Sequence, residues 1–261
     1  MKVFVLNRKQ AMLYSFACFL LISLLLINAK DAATAFSPAD AGNIPIYSVE
    51  REDKSISITF DAAWEDGDTA DIIAILAKYN ARATIFVTGD FVDRCPESVK
   101  AFADAGHEIA NHSDAHPHPN KISADALKSD TALCDEKIKA VVGKNVPLYR
   151  APYGEYNDSV VKTIREMSYT FIQWDVDSLD YKGLSTAEIT DRVCSRVAPG
   201  SIVLFHNGTE NTAKALPSIL KKLSDEGYTF LPISEMIYQD NYHIDHTGRQ
   251  FANENAITSI D

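Results

Sequence analysis

From residue 55 to about residue 238 the sequence alternates short apolar strands with amphipathic helices, and that order leaves few folds open. Ile56, Ile58 and Phe60 alternate with polar residues and predict a strand ending at Asp61. Thr69 then caps a helix in which Ile72, Ile73, Leu76 and Tyr79 keep helical spacing. RATIFVT at 82–88 is a second strand, and Val99, Phe102 and Ala103 ride a helix that stops at Gly106. The same reading gives strands at 108–111, 147–150, 170–174, 201–205 and 229–233. Between them lie helices at 123–142, with Ser123 as cap and Gly143 as stop, at 157–167 and at 212–226. A further helix at 186–197 opens on a capping box of Ser185 and Glu188, and a short one runs to about Tyr238. Strands separated by helices and short connections pair in parallel. About seven such units in under 200 residues favour a small, incomplete barrel over an open doubly wound sheet. There is no GxGxxG or Walker signature, which weakens a nucleotide-binding reading.

Ahead of this region, residues 11–28 carry no charge and follow Lys2, Arg8 and Lys9. Such a run reads as a signal anchor or signal peptide over residues 1–30, with its N-terminus inside and the rest translocated. A cut after Ala35 would make the chain secreted, and an uncut run would tether it to the membrane; the length of the run favours the anchor. Residues 31–48 read as a tether, 49–238 as the folded domain and 239–261 as a loose polar tail. The net charge is −11, yet the first thirty residues hold four basic groups and no acid, so the remainder carries −15. A body that acidic repels a phosphate backbone and makes nucleic acid an unsuitable partner. Cys95, Cys134 and Cys194 are an odd, widely spaced set, neither a disulfide framework nor a metal-binding CxxC pattern.

The chemistry collects at strand ends. Asp61, His112, Arg150, Asp177 with Asp180, and His206 each close or follow a predicted strand. In a parallel barrel those ends open on one face, so residues distant in sequence converge there. His112 and His116 stand four apart in HSDAH, a spacing at which two imidazoles can face one ion. Alone, such a pair is more often incidental, but its place after a strand favours a metal site. His118 fits a surface histidine better than a ligand.

TFD ending at Asp61, HSDAHP at 112–117, RAPYG at 150–154, DSLDY at 177–181 and LFH at 204–206 resemble the five ordered motifs of the carbohydrate esterase family 4 polysaccharide deacetylases. The resemblance covers about residues 50–238 and is greatest to the branch found in spore-forming Gram-positive bacteria, through FDAAW and ALPSILKKL. It implies an α/β fold, a distorted (β/α)7 barrel with a parallel sheet. It also implies a hydrolase that removes acetyl groups from N-acetylated sugars of a cell-wall glycan outside the cytoplasm. Carried over by position, Asp61 is the general base acting on a metal-held water, and His206 is the general acid for the departing amine. Asp180 orients His206, Arg150 pairs with Asp61, and His112 and His116 hold a divalent transition metal, with zinc preferred. The backbone N–H of Tyr153 holds the oxyanion, while Trp64, Tyr181 and Leu204 shape the substrate slot.

Two positions depart from the pattern. Tyr181 stands where the family usually has Trp, a mild change. Ala62 stands where TFDDG places a metal-binding aspartate, so the ion would be weakly held. A carboxylate of the segment 62–67 could return to the ion on a longer loop, and Asp66 is the better candidate because Gly67 allows a tight bend, although an acidic loop tip is more often simply solvated. The alternative function is a degenerate, metal-poor relative that binds glycan or assists wall assembly; a zinc peptidase lacks support because HExxH is absent.

Overall fold

The computed structural model describes residues 43–144 and 147–253. The apolar run at 11–28 lies outside the described residues, and among those described no helix is long and apolar enough to cross a membrane.

The strands are β1 (Ser48–Val49), β2 (Ser55–Ala62), β3 (Thr84–Val87), β4 (Glu108–Asn111), β5 (Leu148–Tyr149), β6 (Thr170–Phe171), β7 (Val176–Asp177), β8 (Ile202–His206) and β9 (Thr229–Phe230). Between and after them run α1 (Thr69–Lys78), α2 (Gly89–Arg94), α3 (Pro96–Asp104), α4 (Ala124–Val142), α5 (Asp158–Glu166), α6 (Thr186–Cys194), α7 (Thr212–Asp225) and α8 (Ile233–Met236). The main sheet has the order β6-β5-β4-β3-β2-β8-β7, every pairing is parallel, and β9 joins beside the first residues of β2.

β6 and β7 stand at opposite edges of this order, yet only residues 172–175 separate them. So short a link spans less than about 20 Å even when extended, which forces the sheet to curl until its edges nearly meet. The result is the unclosed α/β barrel expected from the element order. The continuous strand read at 170–174 is instead two strands, because the chain leaves one edge at Phe171 and joins the other at Val176.

Every residue of β2 is buried. Its alternation therefore does not mark a solvent face. Ile56, Ile58, Phe60 and Ala62 pack in the apolar layer with Ile72, Leu76 and Phe91 of the helices. Ser57, Thr59 and Asp61 face the other way, where the Thr59 hydroxyl donates to the Val203 carbonyl at 2.8 Å.

Local signals hold at most helix ends. Ser123 caps α4 and Gly143 closes it in the left-handed conformation, while Ser185 and Glu188 form the complete capping box of α6. Thr69 does not cap α1; Asp68 holds that position and directs its carboxylate to the backbone N–H of Gly208, at 2.9 Å. Cys134 is buried, and the three described cysteines are free thiols.

Both ends of the predicted domain need correction. Ile46, read as tether, is buried and bridges to Ile172. The stretch read as a loose tail instead forms β10 (Tyr242–Ile244) and β11 (Arg249–Ala252), an antiparallel pair whose second strand runs parallel to β1. Few apolar residues mark that stretch, so backbone pairing to β1 and the fully buried Gln250, bonded to both backbone groups of Tyr238, take the place of a hydrophobic pattern.

Candidate active site

Parallel pairing puts the C-terminal strand ends on one side. Asp61 of β2 is the direct register partner of His206 of β8, and Asn111 of β4 pairs with Val87 and with Tyr149, which brings His112 and Arg150 alongside. Asp61, Trp64, His112, His116, Tyr153, Tyr181, Leu204 and His206 line a single cleft of about 370 Å³. Arg150 and Asp180 are buried behind this lining, each bonded to one of its members.

Arg150 is 0% exposed and donates to Asp61 Oδ1 at 2.8 Å, to the Thr59 hydroxyl at 2.9 Å and to the Gln173 carbonyl at 3.1 Å. Its guanidinium lies 4.0 Å from the centre of the Phe86 ring. Burial pulls Arg150 below the usual arginine value, with Asp61 opposing. For Asp61, burial works against ionisation, but the charges of His112, Arg150 and His206 outweigh it and hold the carboxyl below its ordinary value.

His206 has the reverse setting. Its Nδ1 meets Asp180 Oδ1 at 2.7 Å, which leaves Nε2 as the free nitrogen. Asp180 Oδ2 accepts from the His206 backbone N–H at 2.7 Å and from the Thr212 hydroxyl at 2.5 Å. Burial opposes a charge on His206, but the hydrogen bond and charge of Asp180, followed by Asp61 and Asp177, raise its pKa above the ordinary value. Trp64 and Tyr181 flank the imidazole, each with ring centres 5.2 Å from it.

Burial disfavours a charge on both histidines of the pair. Burial lowers the pKa of His112, and burial followed by the neighbouring His112 lowers His116 to about 4. His112 Nδ1 faces the Arg150 carbonyl at 2.9 Å, so Nδ1 carries the proton and Nε2 the lone pair, 3.5 Å from Asp61 Oδ2. The two rings lie 5.0 Å apart between centres. Ser113, His116 and Tyr153 all have positive φ without being glycine, so local strain gathers here. Tyr153 is sandwiched by His116 and by His118, which stacks on it at 4.2 Å and pairs with Glu155.

Two imidazole nitrogens suit a divalent transition ion in donor chemistry, but the donor set is short. Ala62 presents only a methyl group, in the apolar layer. Asp66 is not part of the cleft wall; its Oδ2 accepts from the Ser98 hydroxyl at 2.7 Å. Among the described residues no three His, Cys, Asp or Glu side chains are grouped to hold an ion. The site thus fits a metal only partly, through His112 and His116.

The family model of polysaccharide deacetylases matches residues 48–172. The peptidoglycan-N-acetylmuramic acid deacetylase PdaA of Bacillus subtilis is 32% identical over 199 residues, covering 74% of this chain and 75% of that protein. The chain belongs to the polysaccharide deacetylase family, carbohydrate esterase family 4. Among solved structures, a family 4 pseudoenzyme from Bacillus anthracis superimposes with a TM-score of 0.71 at 31% identity, over 74% of this chain and 69% of that one. A mutant of that pseudoenzyme with restored enzymatic activity gives a TM-score of 0.72 at 32% identity, over 74% and 71% of the two chains.

Within this polysaccharide deacetylase, the cleft also contains Trp174, Gly154 and Asp177, which sequence reasoning gave no role. Gly154 has φ +65, and a Cβ there would come 2.9 Å from Trp174, so the glycine lets the indole close the wall. Trp174 was hidden inside an expected strand; it lies instead in the link between β6 and β7, where its position after a strand end is the one available signal.

Proposed function

We propose that this deacetylase hydrolyses the acetamide of N-acetylated sugars in a cell-wall polysaccharide, with peptidoglycan as the glycan, releasing acetate. The observation that carries the reading is the opposite tuning of two residues on adjacent strands. Arg150, bonded to Asp61, favours its ionised form, and Asp180, bonded to His206 Nδ1, favours the protonated form of that imidazole, across one cleft. Asp61 takes a proton from the water attacking the acetamide carbon. His206 gives its Nε2 proton to the amine nitrogen as the carbon–nitrogen bond breaks, so proton and leaving group balance. The backbone N–H of Tyr153 is the donor to the developing oxyanion, and Leu204 floors the acetyl slot between Trp64 and Tyr181. His112 and His116 would hold a divalent ion, zinc by preference, which when bound polarises the carbonyl. Residues 1–30 would carry the domain across the membrane, and the acidic body has no role toward nucleic acid.

Acetate release from purified peptidoglycan, with and without added zinc, tests this reading. Release that depends on the ion is expected; none under either condition favours a second reading. That reading, a metal-poor protein that binds glycan without cleaving it, draws support from Ala62 and from the likeness to a pseudoenzyme. Retention on peptidoglycan without acetate release would establish it.

The raised pKa of His206 also sets an expected pH dependence. An acid works only while it holds its proton, so release should persist below the raised pKa of His206 and fall as pH climbs through it. Asp180→Asn removes the charge that raises this pKa, and the alkaline fall should move to lower pH. An unmoved alkaline limb in the pH–rate profile would take the acid role away from His206.

A further inference from the structure

The loop that presents His112 and His116 belongs to no strand or helix, so its backbone groups need partners from elsewhere. The N–H of His112 donates to Val87, that of Ser113 to Asn111 Oδ1 at 2.8 Å, and that of His116 to the Ser113 hydroxyl at 3.1 Å. The two N–H groups between them point outward to α4. There Asp130 Oδ2 accepts from Asp114 N at 2.9 Å and Oδ1 accepts from Ala115 N at 3.1 Å. Asn111 is tied to the same helix, donating to the Thr131 carbonyl at 2.9 Å and to Asp135 at 2.8 Å. Ser113 and His116 both hold positive φ, a conformation that persists in such residues only where surroundings impose it.

We infer that Asp130 is a positioning residue: its carboxylate clamps the two central amides of the loop and thereby sets the spacing of His112 and His116. The clamp touches neither ring. It needs two acceptor oxygens on one rigid group, which a carboxylate supplies and an amide does not. Asparagine would keep one bond and set an NH2 against the other backbone N–H. The role toward an ion rests on the reading of His112 and His116 as its ligands.

Amide hydrogen exchange and the ring NMR signals of His112 and His116 test the clamp in the metal-free protein. The amides of Asp114 and Ala115 should be protected, and Asp130→Asn should speed their exchange by about tenfold or more and shift both ring signals. Zinc titration by calorimetry should then show affinity lower by about tenfold, the scale seen for groups that orient metal ligands, with Asp130→Glu recovering part of it. Unprotected amides in the natural chain, or exchange unchanged in Asp130→Asn, overturn the clamp. Faster exchange with unmoved ring signals and unchanged zinc affinity would overturn the positioning role. A natural chain that takes up no zinc sinks the ligand reading alone, and exchange and ring signals still decide for or against Asp130.

Discussion

Replacing Asp61 with Asn, or His206 with Ala, is expected to lower acetate release by about 10²–10⁴, the span of a single lost proton-transfer partner. The two substitutions remove opposite ends of one transfer. In Asp61→Asn the new side chain retains the shape of the base and an oxygen for Arg150 but cannot accept the proton of the attacking water. It also leaves Arg150 buried without its counter-charge, although Thr59, the Gln173 carbonyl and the Phe86 ring still hold the guanidinium. Removing one partner from a buried pair costs roughly 3–5 kcal/mol, so urea unfolding has to accompany the rate measurement. His206→Ala likewise takes the imidazole from the buried Asp180, which keeps the backbone N–H of residue 206 and the Thr212 hydroxyl as partners, so its unfolding is measured too. Losses of similar size in both, in protein that still unfolds cooperatively, are the expected result. Undiminished release by either variant shows that the roles are misassigned.

Ala62→Asp is expected to couple folding to metal. Sequence alone suggests a simple repair, since an aspartate at this position completes the family pattern. The structure sets a harder condition. Ala62 is 0% exposed, pairs with Val87 across β2 and β3, and packs with Phe60 and Phe91 in the layer facing the helices. A carboxylate left there has no partner, and an unpaired buried charge should cost several kcal/mol in metal-free protein, on the order of 3. If residue 62 turns toward the histidine pair, an ion supplies the missing partner. Zinc should then restore the lost stability and bind more tightly than to the natural chain, by the linkage between ligand and fold. Thermal unfolding with and without zinc, alongside calorimetric titration of both proteins, reads the two effects. A stability loss that zinc does not recover would show that residue 62 cannot reach the ion and that a third donor must come from elsewhere.

Much of the site was legible because its residues are tied to strand ends, and strand ends are visible in apolar runs. Asp61, His112, Arg150 and His206 each follow such a run, and parallel pairing then places them on one face whatever their distance in sequence. Trp174 and the β6–β7 crossing were not legible, because a link of four residues between opposite sheet edges depends on how far the sheet curls. Curl is a property of all the strands together, and no local pattern encodes it. The hairpin of β10 and β11 escaped notice for a related reason: it is held by backbone pairing to β1, nearly two hundred residues earlier in the chain.

By itself the sequence determined the alternation of strands and helices from β2 to β5, the helix ends at Ser123, Gly143 and Ser185, and the kinds of group gathered at the sheet's open end. These are decided by interactions spanning three or four residues, which a chain carries wherever it folds. Only the tertiary structure decided which face each residue of β2 presents. With every residue of that strand buried, alternation cannot say which side is barrel and which is helix layer. Helix packing settles it, turning Asp61 toward Arg150 and His206 and its neighbour Ala62 into the apolar layer.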